Sequence, residues 1–206
     1  MAKIKLTKNE LKAQKDALKR FTRYLPTLEL KKKQLLVEIQ RIQKEIETLQ
    51  SENQRVEREV ARWVDLFGDT NVHLEEYIHI KTLSTTTGNI AGIDIPVFED
   101  LTFEDIPYDL LETPLWIDRG IQVVKEQKKR EAEWQTLQRQ KELIERELRI
   151  TIQRIKLFEE VKIPEARENI RIIQISLGDQ MTAEVVRGKI AKKKIERKKI
   201  LQAKPI

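Results

Sequence analysis

The residues best suited to hold a metal or move a proton are the two histidines, His73 and His79, with Glu75 and Glu76 between them. A metal site needs three or four ligands at spacings that make them converge. This run matches no such spacing, so ordinary surface or hairpin residues are expected. Gly188-Lys189 comes nearest to a phosphate loop, but position 183, five residues before that glycine, is alanine. Gly88 and Gly92 have the GxxxG spacing of packed membrane helices, yet they stand among Thr and Asn, which indicates a turn. Cysteine is absent, which excludes thiolate ligands, disulfides and a cysteine nucleophile. No catalytic, cofactor-binding or metal-binding residue emerges, and the chain is not expected to be an enzyme.

What remains is charge. Residues 1–33 carry 11 Lys or Arg against 3 acids, and residues 187–206 carry 9 against 1, so each end is +8. The 153 residues between them sum to −10, leaving +6 overall. Basic ends flanking an acidic middle imply different partners for different parts of the molecule. The densest run, Lys189 through Lys199, includes Lys192, Lys193, Lys194 and Arg197. Such a run suits a solvated helix end, a nucleic-acid backbone or an acidic protein cavity. No base-reading module or aromatic platform accompanies it.

The elements that must position this charge are helical. Charged residues make up 36% of the 206, while Gly and Pro together number 12, too few for a chain that often reverses direction. The first half carries a coiled-coil seam. One row contains Ile4, Leu11, Leu18, Leu25, Lys32, Ile39, Ile46, Asn53, Val60 and Phe67. The interleaved row contains Phe21, Leu28, Leu35, Ile42, Leu49, Val56 and Trp63. Lys32 and Asn53 are polar interruptions of the kind that fix register at a cost in stability. Pro26 is expected to kink or restart the helix, and Gly68-Asp69 to end it.

Seven of the 12 Gly and Pro residues fall within 68–120. Alternation over Tyr77–Lys81 and Ile93–Val97 predicts two short strands, with Thr85–Asn89 as turn residues between them and Pro96 confining its strand to an edge. Thr113-Pro114 resembles a helix start. A second helix is expected from about Leu115 to Leu177, with Trp134, Leu137, Ile144, Leu148, Ile155 and Phe158 in its seam and gaps at Lys141 and Thr151. The step from Phe158 to Ile163 is five residues, so the seam slips near Pro164 before resuming through Ala166, Ile170, Ile173 and Leu177. Gly178-Asp179 is expected to interrupt the helix. The expected fold is mostly α. Residues 1–67 form an N-terminal coiled-coil helix and 68–114 a central hairpin or irregular module. Residues 115–206 form a C-terminal coiled-coil helix with a basic tail. The two long helices match in length, so an antiparallel pair would bring both basic ends together, with the module at or near the other end or folded back beside the helices.

This arrangement resembles the D subunit of V/A-type rotary ATPases. Lys5-Leu6-Thr7-Lys8-Asn9-Glu10-Leu11 is similar to that family's opening, and Leu30-Lys31-Lys32-Lys33-Gln34-Leu35-Leu36 to its basic run before the long heptads. Val161-Lys162-Ile163-Pro164, followed by Ile170 and Ile173, falls where the family has a helical Ile-Pro; Gly92 to Pro96 resembles its hairpin region. The resemblance implies a non-catalytic rotor shaft. Its tip, built from both termini and including Lys189, Lys192, Lys193, Lys194 and Arg197, would face a barrel of nucleotide-handling A and B subunits. Its other end would meet the small F subunit and a funnel-shaped subunit above the membrane ring. A coiled-coil scaffold or tether, whose basic tip binds nucleic acid or an acidic surface, is the alternative, and a homodimeric coiled coil is a third reading. The longest charge-free stretch, Thr82–Ile93, is too short to cross a bilayer. Met1–Leu6 shows no signal-peptide pattern. The expectation is therefore a cytoplasmic protein, peripheral to the membrane through its complex, with no direct insertion and no nucleic acid.

Overall fold

The computed structural model describes residues 4–62, 74–109, 113–114 and 116–202, with the backbone alone at 74–75 and 199–202. Helix α1 (Lys8–Val60) is followed by a short 3-10 helix (Leu74–Tyr77) and strands β1 (Ile80–Ile90) and β2 (Ile93–Phe103). Helix α2 (Ile117–Lys156) then passes through a π-helical stretch (Leu157–Lys162) into α3 (Ile163–Gln202). The chain forms two compact units, one of Met1–Glu29 with Gln153–Ile206, the other of Leu30–Ile152.

In the first unit, Thr7 caps α1: its Oγ1 accepts from the Glu10 N–H at 3.3 Å and its carbonyl from the Leu11 N–H at 3.0 Å. α1 runs through Pro26 without restarting. Leu25 and Leu28, on either side of the proline, are half-buried. The two helical segments pair antiparallel. Phe21 meets Phe158 with ring centroids 5.2 Å apart, while Asn169 Nδ2 donates to Gln14 Oε1 at 3.4 Å. Ile155, Ile163, Ala166 and Ile173 are buried along this seam.

The five-residue step from Phe158 to Ile163 has a direct structural counterpart. The Ile163 N–H bonds the Phe158 carbonyl, five residues back, and residues 157–162 are π-helical. A π-turn holds one residue more than an α-turn, so the extra residue is absorbed and Ile163, Ala166 and Ile173 stay on the buried side. Pro164 assists, since it has no N–H to restore the α pattern.

In the second unit, Leu35, Ile42, Ile46, Leu137 and Ile144 form the core, with Ile95 of the hairpin among them. Lys31 Nζ donates to Glu147 Oε1 at 2.7 Å and Lys141 Nζ to Gln43 Oε1 at 2.7 Å, an antiparallel pairing of α1 with α2. β1 and β2 form a two-stranded antiparallel sheet with Ile90 opposite Ile93. The hairpin therefore lies beside the helices of this unit.

Four further expectations change. The strand expected over Tyr77–Lys81 begins at Ile80, and Tyr77 closes the 3-10 helix before it. Thr85–Asn89 is strand: β-branched threonines favour the pleated conformation, and the reversal falls instead at Ala91-Gly92, with φ of 52° and 81°. Two consecutive positive φ values give a hairpin turn that matches strand twist. Gly178 does not interrupt α3, because one helical glycine costs only about 1 kcal/mol. α2 starts at Ile117, three residues beyond Pro114, whose carbonyl accepts from the Ile117 N–H at 3.0 Å. The expected helix end at Gly68-Asp69 lies outside the described residues, as do His73 and Phe67.

Candidate interaction surfaces

The seam residues occupy a continuous less-exposed stripe in each unit. On α1, Leu35, Ile42 and Ile46 are buried, while Leu11, Leu18, Leu25, Leu28, Ile39, Leu49, Val56 and Val60 are half-buried. Trp63 lies outside the described residues. On the facing segments, Leu137, Ile144, Ile155 and Ile173 are buried, and Trp134, Leu148, Phe158 and Ile170 are half-buried. Thr151, a gap in the heptad, is fully buried with its Oγ1 unpartnered. Asn53 Oδ1 and Trp134 Nε1 are likewise without hydrogen-bond partners; both residues line a polar recess with Gln50, Gln54, Glu57, Gln127 and Glu131.

Periodicity does not reveal how the hairpin is fastened. Gln140 Nε2 donates to the Pro96 carbonyl at 2.7 Å, Lys129 Nζ pairs with Asp100 at 2.8 Å, and Lys125 Nζ sits 5.7 Å from the centre of the Phe103 ring. The Lys129 hydrogen bond holds the Asp100 carboxyl below its ordinary value. At the foot of the hairpin, Tyr77 stacks edge-on against Tyr108, whose hydroxyl donates to Asp118 and titrates above its ordinary value for that reason. α2 thus buries two sides, one toward α1 and one, through Thr136 and Gln140, toward the hairpin. The heptad carried no signal for this second side, since Thr136 and Gln140 stand off the seam and the gap at Lys141 is taken up by α1 through Gln43.

The second surface is the end of α3. Every described residue from Gly178 to Lys198 is exposed, including Lys189, Lys192, Lys193, Lys194 and Arg197. Apolar residues are exposed with them: Met181 at 58%, Val185 at 58%, Val186 at 50%, Ile190 at 50% and Ile195 at 57%. At 100° per residue, Met181, Val185 and Ile195 fall on one side of the helix and Val186 and Ile190 near the opposite one. Basic residues lie between and alongside them. Earlier on the same helix, Arg171 and Glu168 form an exposed pair at 2.6 Å, and the hydrogen bond from Arg171 holds the Glu168 carboxyl below its ordinary value.

Among the described residues, no three His, Cys, Asp or Glu side chains are grouped to hold a metal ion, and no helix is long and apolar enough to cross a membrane. The sequence model of one family, the ATP synthase D subunit, matches residues 10–193. Relatives named as the D subunit of V-type ATP synthases are similar over nearly the whole chain. That of Borreliella burgdorferi is 48% identical over 198 residues, covering 96% of this chain and 98% of its own. Those of Chlamydia muridarum and Chlamydia pneumoniae are 33% and 31% identical, each covering at least 95% of both chains.

Proposed function

This chain belongs to the ATP synthase D-subunit family, and on that premise we propose that it is the central-stalk rotor subunit of a V/A-type rotary ATPase. It transmits torque between the barrel of A and B subunits, where ATP is hydrolysed or made, and the membrane ring that moves ions. The chain itself is non-catalytic in this reading. Its further partners are the small F subunit and the funnel-shaped subunit above the ring, and it is peripheral to the membrane.

The observation that carries this reading is the exposed end of α3. A helix that lies on a flat partner, or on a membrane surface, needs one apolar face. Here apolar side chains leave the helix on opposite sides, with Lys and Arg among them. Only a surround of partner surface meets both sides, and a shaft tip inside a barrel is such a case. Interspersed cations without fixed partners suit contacts that must exchange as the shaft turns. The coiled-coil seams make the support for this tip a packed pair of helices, and an asymmetric shaft can favour different barrel conformations as it rotates.

Purification of the tagged protein from its own cells, followed by native mass spectrometry, tests the placement: one copy with three of each nucleotide-binding subunit is expected. A lone dimer, or a complex with nucleic acid, overturns it. Replacing Lys192, Lys193 and Lys194 together by Glu is expected to lower ion-coupled ATPase activity in the assembled complex. Unchanged turnover and assembly would remove the tail from the barrel contact.

A further inference from the structure

The hairpin has two outer edges, and among the described residues side chains of α2 bond to that of β2. Along β2, α2 supplies Gln140 to the Pro96 carbonyl and Lys129 to Asp100. Among the described residues β1 has no strand neighbour other than β2. On β1 itself Thr85, Thr86 and Thr87 are exposed in succession, Leu83 is 50% exposed and Ile80 55%.

Open edges are normally blunted by charge, proline or bulges, because their unpaired N–H and C=O groups recruit other strands. Here the devices are on the wrong strand for protection. β2, the covered strand, carries Asp94, Pro96, Glu99 and Asp100. β1, the open one, has a single charge at Lys81 and then none through Ile90. Register shifts occur at Ile80/Thr82 and Ser84/Thr85, but Thr85–Ile90 pairs without interruption. The result is a regular, uncharged, threonine-rich edge.

We propose that the outer edge of β1, over Thr82–Asn89, is a strand-acceptor site that takes an extended, uncharged, β-branched segment of a neighbouring subunit, adding a third strand to the sheet. A second copy of this chain is disfavoured by area. Pairing along so short an edge buries on the order of several hundred Å², below the roughly 1,200–2,000 Å² of stable interfaces. A segment already held in the same assembly needs no such area, because its effective concentration is high. The proposal requires only that the chain works within a multi-subunit complex and is independent of torque transmission.

Amide hydrogen exchange resolved to single residues tests this, comparing the isolated full chain with the intact complex. In an antiparallel ladder alternate amides point outward. Alternate amides between Thr82 and Asn89 should exchange freely in the isolated chain and slow by roughly 100-fold in the complex. The amides paired to β2 should be slow in both. Unchanged exchange in the complex overturns the proposal. So does slowing of consecutive amides alike, which would mean a covered face and not an added strand. Slowing in the isolated chain that disappears on dilution would assign the edge to a second copy, and overturns it too.

Discussion

The π-helical stretch at Leu157–Lys162 makes a quantitative claim about register. If it exists to absorb the five-residue step between Phe158 and Ile163, removing one residue from it should leave an ordinary α-helix whose seam still meets α1. Glu160 is exposed and carries no seam contact, so its deletion is the clean perturbation. The steps around it would become regular, with Ile163, Ala166 and Ile173 remaining buried. Deleting Arg167, also exposed, removes one residue where the helix is already α and turns the remainder of α3 by about 100°. Ile173, fully buried, and Ile170, half-buried, would then leave the seam. At about 2–3 kcal/mol for a fully buried isoleucine and about half that for Ile170, the loss is ~4 kcal/mol. The Glu160 deletion should stay within ~1 kcal/mol of the parent. With a urea slope of about 2–3 kcal/mol/M, the Arg167 deletion should lower the midpoint by roughly 1.5 M and the Glu160 deletion by less than ~0.5 M. Equal losses from the two deletions would refute the reasoning, since the π-turn would then serve something other than seam register.

Other outcomes rest on single sites. Thr151→Val keeps the shape of a fully buried residue while removing an unpartnered hydroxyl, so thermal or urea unfolding should show a gain of about 1 kcal/mol. Leu35→Ala, at a position with no exposure in the main cluster, should cost about 3 kcal/mol in the same measurement. At Gly88 an added Cβ would stand 2.9 Å from Val97 Cγ2, and valine has little freedom to turn aside. Gly88→Ala should therefore destabilise the hairpin by about 1–2 kcal/mol, read from exchange of the β1 amides. The Lys129–Asp100 tie carries a pH signature. Because the folded carboxyl titrates below its unfolded value, the tie contributes fully above the unfolded pKa and is lost as pH falls through the folded one. The protection of the hairpin amides, taken against the intrinsic exchange rate at each pH, should fall on acidification through that range, and Lys129→Met should abolish the dependence.

The helical pairing was legible because it repeats. A seam at alternating steps of three and four leaves the same face buried over dozens of residues, and even its slip at Phe158–Ile163 announced the place of the π-turn. The turn of the hairpin was not legible in the same way. Thr85–Asn89 combines residues found in turns with residues favoured in strands, and the pairing of Thr87 with Pro96 and Gly88 with Ile95 settles the matter in favour of strand. That pairing is set by packing against Leu137 and Ile42, which local sequence does not encode. The Gln140–Pro96 and Lys129–Asp100 contacts join positions 44 and 29 residues apart, beyond any periodic signal.

Irregularity in a seam therefore carries information of its own. α1 needs one apolar stripe and shows one; α2 carries its seam toward α1 and also faces the hairpin, so Thr136 and Gln140, which stand off the heptad, are buried although polar. After Leu177 the stripe stops, and burial stops with it although the helix continues to Gln202. A helix that goes on after its own partner ends must draw stability from somewhere else. Propensity alone gives a segment of this length only marginal helicity in water, and Gly178 and Gly188 weaken it further. The apolar side chains on its opposite sides are thus the residues to change first: Val186→Ser with Ile190→Ser should leave the isolated chain's unfolding unaltered, because both are already exposed. The same pair should weaken assembly with the nucleotide-binding subunits at least tenfold in a pull-down titration. Undiminished assembly would mean that the end of α3 is not enclosed.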